Sequence, residues 1–442
     1  MGAAPGRASI VSVGDELVLG QTLDTNSGWL SDRLVGRGIT TVRHVTVPDD
    51  VGALELAIRH AAGEAELVIV TGGLGPTPDD LTREALARAL GARLVEDDRA
   101  LAEVHAWFKA RNREMPKANR VQAMRPASAR CLSNPVGTAP GLAARLDETD
   151  IFCLPGPPNE MVPMFERFVT PALRTPPGRV VRTRTIRTFG LGESRVAGLL
   201  GDLMRRDRLP LVGTTASRGV VGVRIRWEGE GTPAEAENAI ARTEASLRER
   251  LGPAVLTPTR GSGEECLAEL VLSLLRARAE TLSSAESCTG GLLGAMLTDV
   301  PGSSDVYAGG WVTYSNVLKR SALGVPGELF PEVHAGAPGA VSASTAIAMS
   351  EGARARAQTR HALAITGIAG PGGGSDAKPV GTVWICLASG DSPHDCRRFL
   401  FGGDRPSVRE WAALSALAML RLRLMGLEMT LLGEQERAGS QE

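Results

Sequence analysis

The sequence predicts an α/β protein of three domains, and three observations carry that prediction. A chain of 442 residues with 43% hydrophobic content is too long for one ordinary core, since domains run to about 150 residues. From Ala8 onward, short apolar runs bounded by glycine alternate with amphipathic segments. Two stretches rich in proline, glycine and polar residues, Pro171 to Pro177 and 258–265, interrupt that alternation. They leave a doubly wound amino-terminal domain over 1–171, a small α+β domain over 172–258 and an α/β domain over 262–426. The polar stretch 427–442 is expected to be a disordered tail.

In the first domain the runs ASIVSVG, TTVRHVTV and ELVIVTGG read as strands, and NSGWLSDRLVGRG and VGALELAIRHAAGEA as the helices between them. This βαβαβ order favours a parallel sheet covered on both faces, with ligands meeting the loops after the strand ends. GDELVLG, TGGLGPTPDD and IFCLPGPPNEM are three such exits. The second domain reads as strand, helix, strand, helix. Between Ala172 and Pro253 it holds fifteen Arg, no Lys and nine acidic residues, a local surplus of six positive charges. The third domain opens with a helix near Cys266, then the strand TLSSAES, a glycine turn and further helices and strands to about Leu424.

Composition excludes several classes. A net charge of -1 gives no reason to expect a polyanionic partner, and the preference for Arg over Lys reads as base composition. Six scattered cysteines without CxxC spacing, and an amino terminus without an apolar run, lead us to expect a reduced, cytoplasmic protein. No apolar stretch approaches the roughly 20 residues of a membrane span. There is no GxxxxGK[ST] and no HExxH, and the histidines are dispersed, which argues against a P-loop NTPase and a zinc site.

The densest chemistry lies between 285 and 385, where AESCTGG, PGSS, WVTYSNVLK, TGIAGPGGG and KPVGT follow one another. Amide hydrolysis by a nucleophile needs a hydroxyl, a base and donors for the oxyanion, and Ser304, Tyr314 and Lys319 with the glycine loops contain all three. Only four lysines occur in the chain, so composition alone does not place one here. Each residue also has a plainer role: a serine beside glycine caps a turn, a tyrosine packs on a strand and a lysine is solvated. Cys288 invites a thiol mechanism or is simply a small buried hydrophobe. Either Lys319 or Tyr314 is the immediate base.

These motifs, and the order of the three domains, resemble the CinA (competence/damage-inducible protein) family over nearly the whole chain. The resemblance implies a carboxy-terminal nicotinamide-nucleotide amidase, which converts nicotinamide mononucleotide to nicotinate mononucleotide and ammonia without a cofactor. It makes Ser304 the nucleophile, with Tyr314 and Lys319 beside it, and adds Glu286, Thr289, Thr366 and Arg405 as ligand contacts. The turn at Ser287, Gly290 and Gly291 and the loop at Gly367 and Gly370 are the candidate substrate-binding amides.

The first domain resembles molybdopterin-binding folds, and the family associates it with ADP-ribose pyrophosphatase activity. Gly72, Gly73, Gly75 and Thr77 are then the phosphate loop, and Asp15, Glu16, Asp79 and Asp80 the ligands of Mg²⁺, Mn²⁺ or Co²⁺. Asp79 and Asp80 fit equally well as caps of the next helix. The family's middle domain is KH-like, but GVVG at Gly219 to Gly222 runs into a strand and its centre is apolar, so nucleic acid is not expected as a partner. Three domains with a basic middle segment suit a homodimer. The competing readings are a non-enzymatic competence or DNA-damage factor and a pterin-binding protein.

Overall fold

The structure is a computed structural model that describes residues 6–173, 178–217, 219–256, 266–390 and 392–438. The chain divides into two compact units, Met1–Thr183 with Trp227–Ala239, and Arg184–Arg226 with Ile240–Glu442. The expected linker over 258–265 and part of that at Pro171 to Pro177 lie outside the described residues.

The first unit runs β1 (Arg7–Val13), α1 (Asp15–Val18), α2 (Thr25–Val35), β2 (Thr40–Val47), α3 (Val51–Glu64), β3 (Leu67–Thr71) and α4 (Thr82–Ala89). It continues with β4 (Leu94–Glu96), α5 (Asp98–Lys109), β5 (Met124–Pro126), β6 (Arg130–Leu132), β7 (Gly141–Leu146), β8 (Thr149–Leu154) and α6 (Pro158–Met164). Its main sheet has the order β2-β1-β3-β8-β7-β6. The first four strands are parallel, and β7 and β6 are antiparallel.

Side chains of successive strand residues point to opposite faces, so each parallel strand feeds two cores. Val11, Val13, Val68 and Val70 pack with Leu54, Ile58 and Leu86 from α3 and α4. Ile10, Leu67 and Ile69 pack with Leu30 and Leu34 of α2 and Met161 and Met164 of α6. Aspartates at 24, 50 and 97 cap α2, α3 and α5 by accepting from backbone N–H groups. The sheet therefore presents the carboxyl ends of β1, β2, β3 and β8 on one edge.

The second unit contains most of a three-stranded sheet of order β10-β11-β9, formed by β9 (Arg179–Phe189), β10 (Leu211–Ser217) and β11 (Val220–Glu230) with α7 (Glu193–Leu200) and α8 (Pro233–Leu251). The sequence reading missed β10, whose LVGTTAS alternation is carried by small and hydroxyl residues. Ser217 pairs with Val220, so Gly219 stands at a hairpin tip with φ +81°. Its GVVG stretch belongs to a hairpin and not to a loop between helices.

The unit continues with α9 (Leu267–Arg278), β12 (Leu282–Glu286), α10 (Leu292–Thr298), β13 (Tyr307–Val312), α11 (Asn316–Leu323), α12 (Ala343–Ala357) and β14 (His361–Gly367). It ends with β15 (Thr382–Ser389), β16 (Ser392–Leu400), α13 (Arg405–Met425) and β17 (Glu434–Arg437). The sheet order is β13-β12-β14-β15-β16-β17, with β13, β12 and β14 parallel and the rest antiparallel. Leu282, Leu363, Ile385 and Leu387 pack on α9 and α13, while Ala285, Ala364 and Cys386 pack on α12.

The expected disordered tail is corrected up to Ala438. Leu431 is buried, β17 pairs with β16, and Glu434 accepts from Arg397, Arg437 and the Leu431 amide. A charged sequence such as GEQER reads as solvated, but charges are also what closes a sheet edge. Residues 439–442 lie outside the described residues.

Candidate functional site

The three parallel strands of the second unit end side by side at Ser287, Thr313 and Gly367, and α11 brings Lys319 beneath them. Ser315 caps α11 by accepting from the Leu318 amide, which fixes the helix start four residues before Lys319. Lys319 is 1% exposed. Its Nζ donates to Ser287 Oγ at 2.9 Å, to the Thr313 carbonyl at 2.9 Å and to the Tyr314 carbonyl at 3.5 Å. Burial lowers its pKa from 10.5 to about 8. A Cys288 thiolate would oppose that shift, but burial pushes the thiol up to about 12, so it stays neutral and inert.

Ser287 opens a tight turn in which the Gly290 N–H donates back to the Ser287 carbonyl at 3.1 Å. Among the described residues the N–H groups of Cys288 and Thr289 have no backbone acceptor. Glu286 is buried, and its carboxylate accepts from the amides of Gly291, Leu293 and Gly294. It anchors the start of α10 and takes up the Gly291 amide that the sequence reading offered to substrate. Arg409, one turn after Arg405 on α13, donates twice to the Thr289 carbonyl, at 2.6 and 3.2 Å.

Tyr314 is exposed, and its hydroxyl accepts from Arg405 Nη2 at 2.8 Å, while Arg405 Nη1 donates to the Gly370 carbonyl at 2.6 Å. One guanidinium thus joins the β13–α11 loop, the glycine loop and α13 at the mouth of the site. Thr366 donates to the Ala340 carbonyl, and Lys378 to the Pro338 carbonyl, so both hold loops in place. Gly367 admits close backbone approach, since a Cβ there would stand 2.7 Å from the Thr382 carbonyl oxygen.

Ser304 is not part of this cluster. It lies exposed in a 3₁₀ turn, Ser303–Asp305, that precedes β13, and the Val306 carbonyl accepts from Leu282 at the start of β12. Ser287 follows the other end of β12. Five residues at about 3.3 Å each separate the two ends, roughly 16 Å, beyond any lysine side chain's hydrogen-bond reach. Among the described residues the hydroxyl that meets Lys319 is therefore Ser287, while the Tyr314 phenol meets Arg405 instead.

In the first unit, the exits of β1, β2, β3 and β8 line a cleft of about 400 Å³ that includes Gly14, Glu16, Asp49, Gly72, Gly73, Gly75, Asp79, Asp80, Gly156 and Glu160. Asp80 accepts from the Gly75 amide at 2.6 Å, from the Thr77 amide at 2.8 Å and from the Thr77 hydroxyl. Arg83, 1% exposed, donates to the carbonyls of Leu74, Gly75 and Asp80. The loop's polar groups are thus held by residues of the segment that follows it.

Of the expected metal ligands, Glu16, Asp79 and Asp80 line this cleft together with Asp49. Asp80 is consumed by its own loop, and the Asp15 and Asp49 carboxylates each accept from the other residue's backbone N–H. Burial, followed by the charges of Asp15, Glu16 and Asp79, holds the Asp49 carboxyl above its usual pKa. Among the described residues no three His, Cys, Asp or Glu side chains form a group able to hold a metal ion. The sequence reading missed Asp49, Arg83 and Arg409. The i,i+4 spacing of Arg405 and Arg409 on one helix face was the available signal for the last.

Comparison with known proteins follows the same division. The family model of the CinA C-terminal domain matches residues 264–424, that of a probable molybdopterin binding domain 9–175, and that of the damage-inducible protein CinA KH domain 183–256. A putative competence-damage inducible protein of Symbiobacterium thermophilum is 44% identical over 431 residues, covering 95% of this chain and 99% of its own. A CinA-like protein of Geobacter metallireducens is 42% identical over 422 residues, covering 95% and 99%. Among solved structures, a CinA protein "with unknown function" from Thermoplasma acidophilum is 33% identical and covers 38% of this chain and 99% of its own, with a TM-score of 0.36. Among the described residues no helix is long and apolar enough to cross a membrane.

Proposed function

The chain belongs to the CinA family, and on that premise we propose that its carboxy-terminal domain hydrolyses the carboxamide of nicotinamide mononucleotide to nicotinate mononucleotide and ammonia. The observation that carries this reading is the buried contact of Lys319 Nζ with Ser287 Oγ at 2.9 Å. A serine hydroxyl is a weak nucleophile until a base takes its proton, and a buried lysine near pKa 8 is that base in its neutral form. Ser287 therefore replaces Ser304 as the proposed nucleophile.

As Ser287 Oγ bonds to the carboxamide carbon, its proton moves to Lys319 Nζ. The carbonyl π pair moves onto oxygen, where the Cys288 and Thr289 amides of the turn are the available donors. Collapse breaks the C–N bond, and the Lys319 proton leaves with the departing ammonia. Water, deprotonated by the same amine, then hydrolyses the acyl-serine and restores both groups. Arg405 and the glycine loop stand at the mouth, suited to the phosphate of a mononucleotide.

The test is ammonia release from nicotinamide mononucleotide by the purified full chain, with Ser287→Ala and Ser304→Ala beside it. No release by the wild type sinks the amidase reading. Release that survives Ser287→Ala and disappears in Ser304→Ala sinks the nucleophile assignment instead.

For the amino-terminal unit we propose that the cleft binds a phosphorylated ligand of the ADP-ribose type. The preset loop held by Asp80 and Arg83 supports this, because its Gly73 and Leu74 amides have no backbone acceptor among the described residues. Among the described residues the carboxylates do not form a ready cage for a divalent ion. Calorimetry with ADP-ribose, with and without added Mg²⁺, Mn²⁺ or Co²⁺, separates metal-free binding from a metal-dependent pyrophosphatase. Absence of heat under every condition would refute it.

A further inference from the structure

We propose that Trp411, pinned by the β10–β11 hairpin, is a positioning residue for the carboxy-terminal site, so that the KH-like segment sets the rate of that site without touching substrate. The inference rests on the amidase reading for its kinetic consequence, but its structural basis is independent of substrate identity.

Gly219 at the hairpin tip lies against the Trp411 ring. A Cβ built there, at φ +81°, would stand 2.8 Å from Cζ3 and 2.9 Å from Cη2 of that ring, closer than carbon atoms approach. Only glycine combines that φ with that contact. The indole is also flanked by Phe189 at 5.9 Å and by Phe401 at 6.1 Å between ring centroids, the latter nearly parallel at 19°. Phe189, Phe401 and the buried face of α13 belong to one hydrophobic core, against which Val220 of the hairpin also packs. The hairpin is thus part of the packing of α13 and not a separate module.

Trp411 is connected to both loops of the site through its neighbours Arg409 and Phe401. Two residues earlier on α13, Arg409 grips the Thr289 carbonyl in the turn that carries Ser287. On the other side, the Phe401 amide donates to the Gly381 carbonyl and the Gly381 amide to the Ile368 carbonyl, which ties the stacked ring to the glycine loop. That contact is tight, since a Cβ on Gly381 would meet the Phe401 carbonyl oxygen at 2.0 Å. Movement of the indole therefore moves the nucleophile turn through α13 and the opposite loop through Phe401. Packed interiors transmit such displacements because they hold little free volume.

The experiment uses the full chain with Trp411→Ala, Trp411→Phe and Gly219→Ala, and reads kcat and KM for nicotinamide mononucleotide together with deuterium exchange of the amides from Cys288 to Gly294. A displacement of about 1 Å costs up to about 100-fold in rate. Trp411→Ala and Gly219→Ala should accordingly lower kcat by about tenfold or more, with KM within about twofold, and speed exchange in the nucleophile turn by a similar factor. Trp411→Phe should restore most of both. Unchanged kcat and exchange in Trp411→Ala would overturn the inference, as would faster exchange spread evenly over the whole unit. If the wild type releases no ammonia, the functional reading fails by itself. The exchange data then still decide whether the hairpin orders the turn.

Discussion

The sharpest consequence of the Ser287–Lys319 pair is an alkaline pH–rate profile. Lys319 must be neutral to accept the serine proton, and burial places its pKa near 8. The neutral fraction of such a group is about one-tenth at pH 7 and about nine-tenths at pH 9, so kcat/KM should rise about tenfold over that interval and then level. The sign follows from the cause: desolvation disfavours the ammonium, the pKa falls, and activity appears as the proton leaves. Arginine at this position keeps its charge throughout, so Lys319→Arg should lose the activity and leave no limb to titrate. The assay is continuous ammonia release between pH 6 and 10, with stability checked at each pH. A profile that is flat, or that falls from pH 7 to 9, would refute Lys319 as the base.

The other expectations can be checked with the same protein. Ser287→Ala should lower kcat about 1,000-fold or more while Ser304→Ala stays within about twofold, because only the former removes a hydroxyl that meets the lysine. Arg405→Ala should raise KM for the mononucleotide by about tenfold or more through loss of a charged donor at the mouth, with a smaller effect on kcat, measured by initial rates. Lys319→Met should abolish the rise in wild-type stability that accompanies deprotonation. Between the native pKa of about 8 and the ordinary 10.5 the unfolded chain binds more protons, so stability climbs with pH over that window by about 3 kcal/mol, and denaturant titrations at pH 7 and 10 will show it. Asp80→Ala should destabilise the first unit by about 2 kcal/mol and weaken ADP-ribose binding, since the Gly75 and Thr77 amides lose their acceptor.

Much of the fold was legible because glycine and periodicity punctuate this chain clearly. The runs at Ala8, Thr40 and Leu67 became β1, β2 and β3 of a parallel sheet, and TLSSAES became β12 with its glycine turn. Strand β10 was hidden, because Thr and Gly carry its alternation, and β17 was hidden because its residues are charged. At the candidate site, the motifs pointed to Lys319, Tyr314 and the loops and the family resemblance to Arg405, and the structure brings these to one end of the sheet while it leaves Ser304 at the other. Ser287 and Ser304 flank opposite ends of adjacent parallel strands, and linear spacing carries no record of which end faces the lysine. Likewise, Glu286 and Asp80 look like ligands in a sequence, yet each carboxylate is spent on backbone amides of its own turn.

The choice between an enzyme and an inert scaffold turns on what Lys319 costs. Its hydrogen-bond acceptors among the described residues are a hydroxyl and two carbonyls, all neutral, and no ion pair with it occurs there. The lowered pKa means that below pH 8 the folded chain bears about 3 kcal/mol for holding the ammonium there, comparable to a large share of the margin of 5–15 kcal/mol by which domains are stable. A methionine would fill the same space without that penalty. Glu286, three amides and the double grip of Arg409 on Thr289 meanwhile fix the turn that offers Ser287 to the amine. A destabilising base beside a rigidly held hydroxyl has no use in a scaffold, whereas proton transfer from that hydroxyl requires both, and it is this combination that favours catalysis over a purely binding role for the domain.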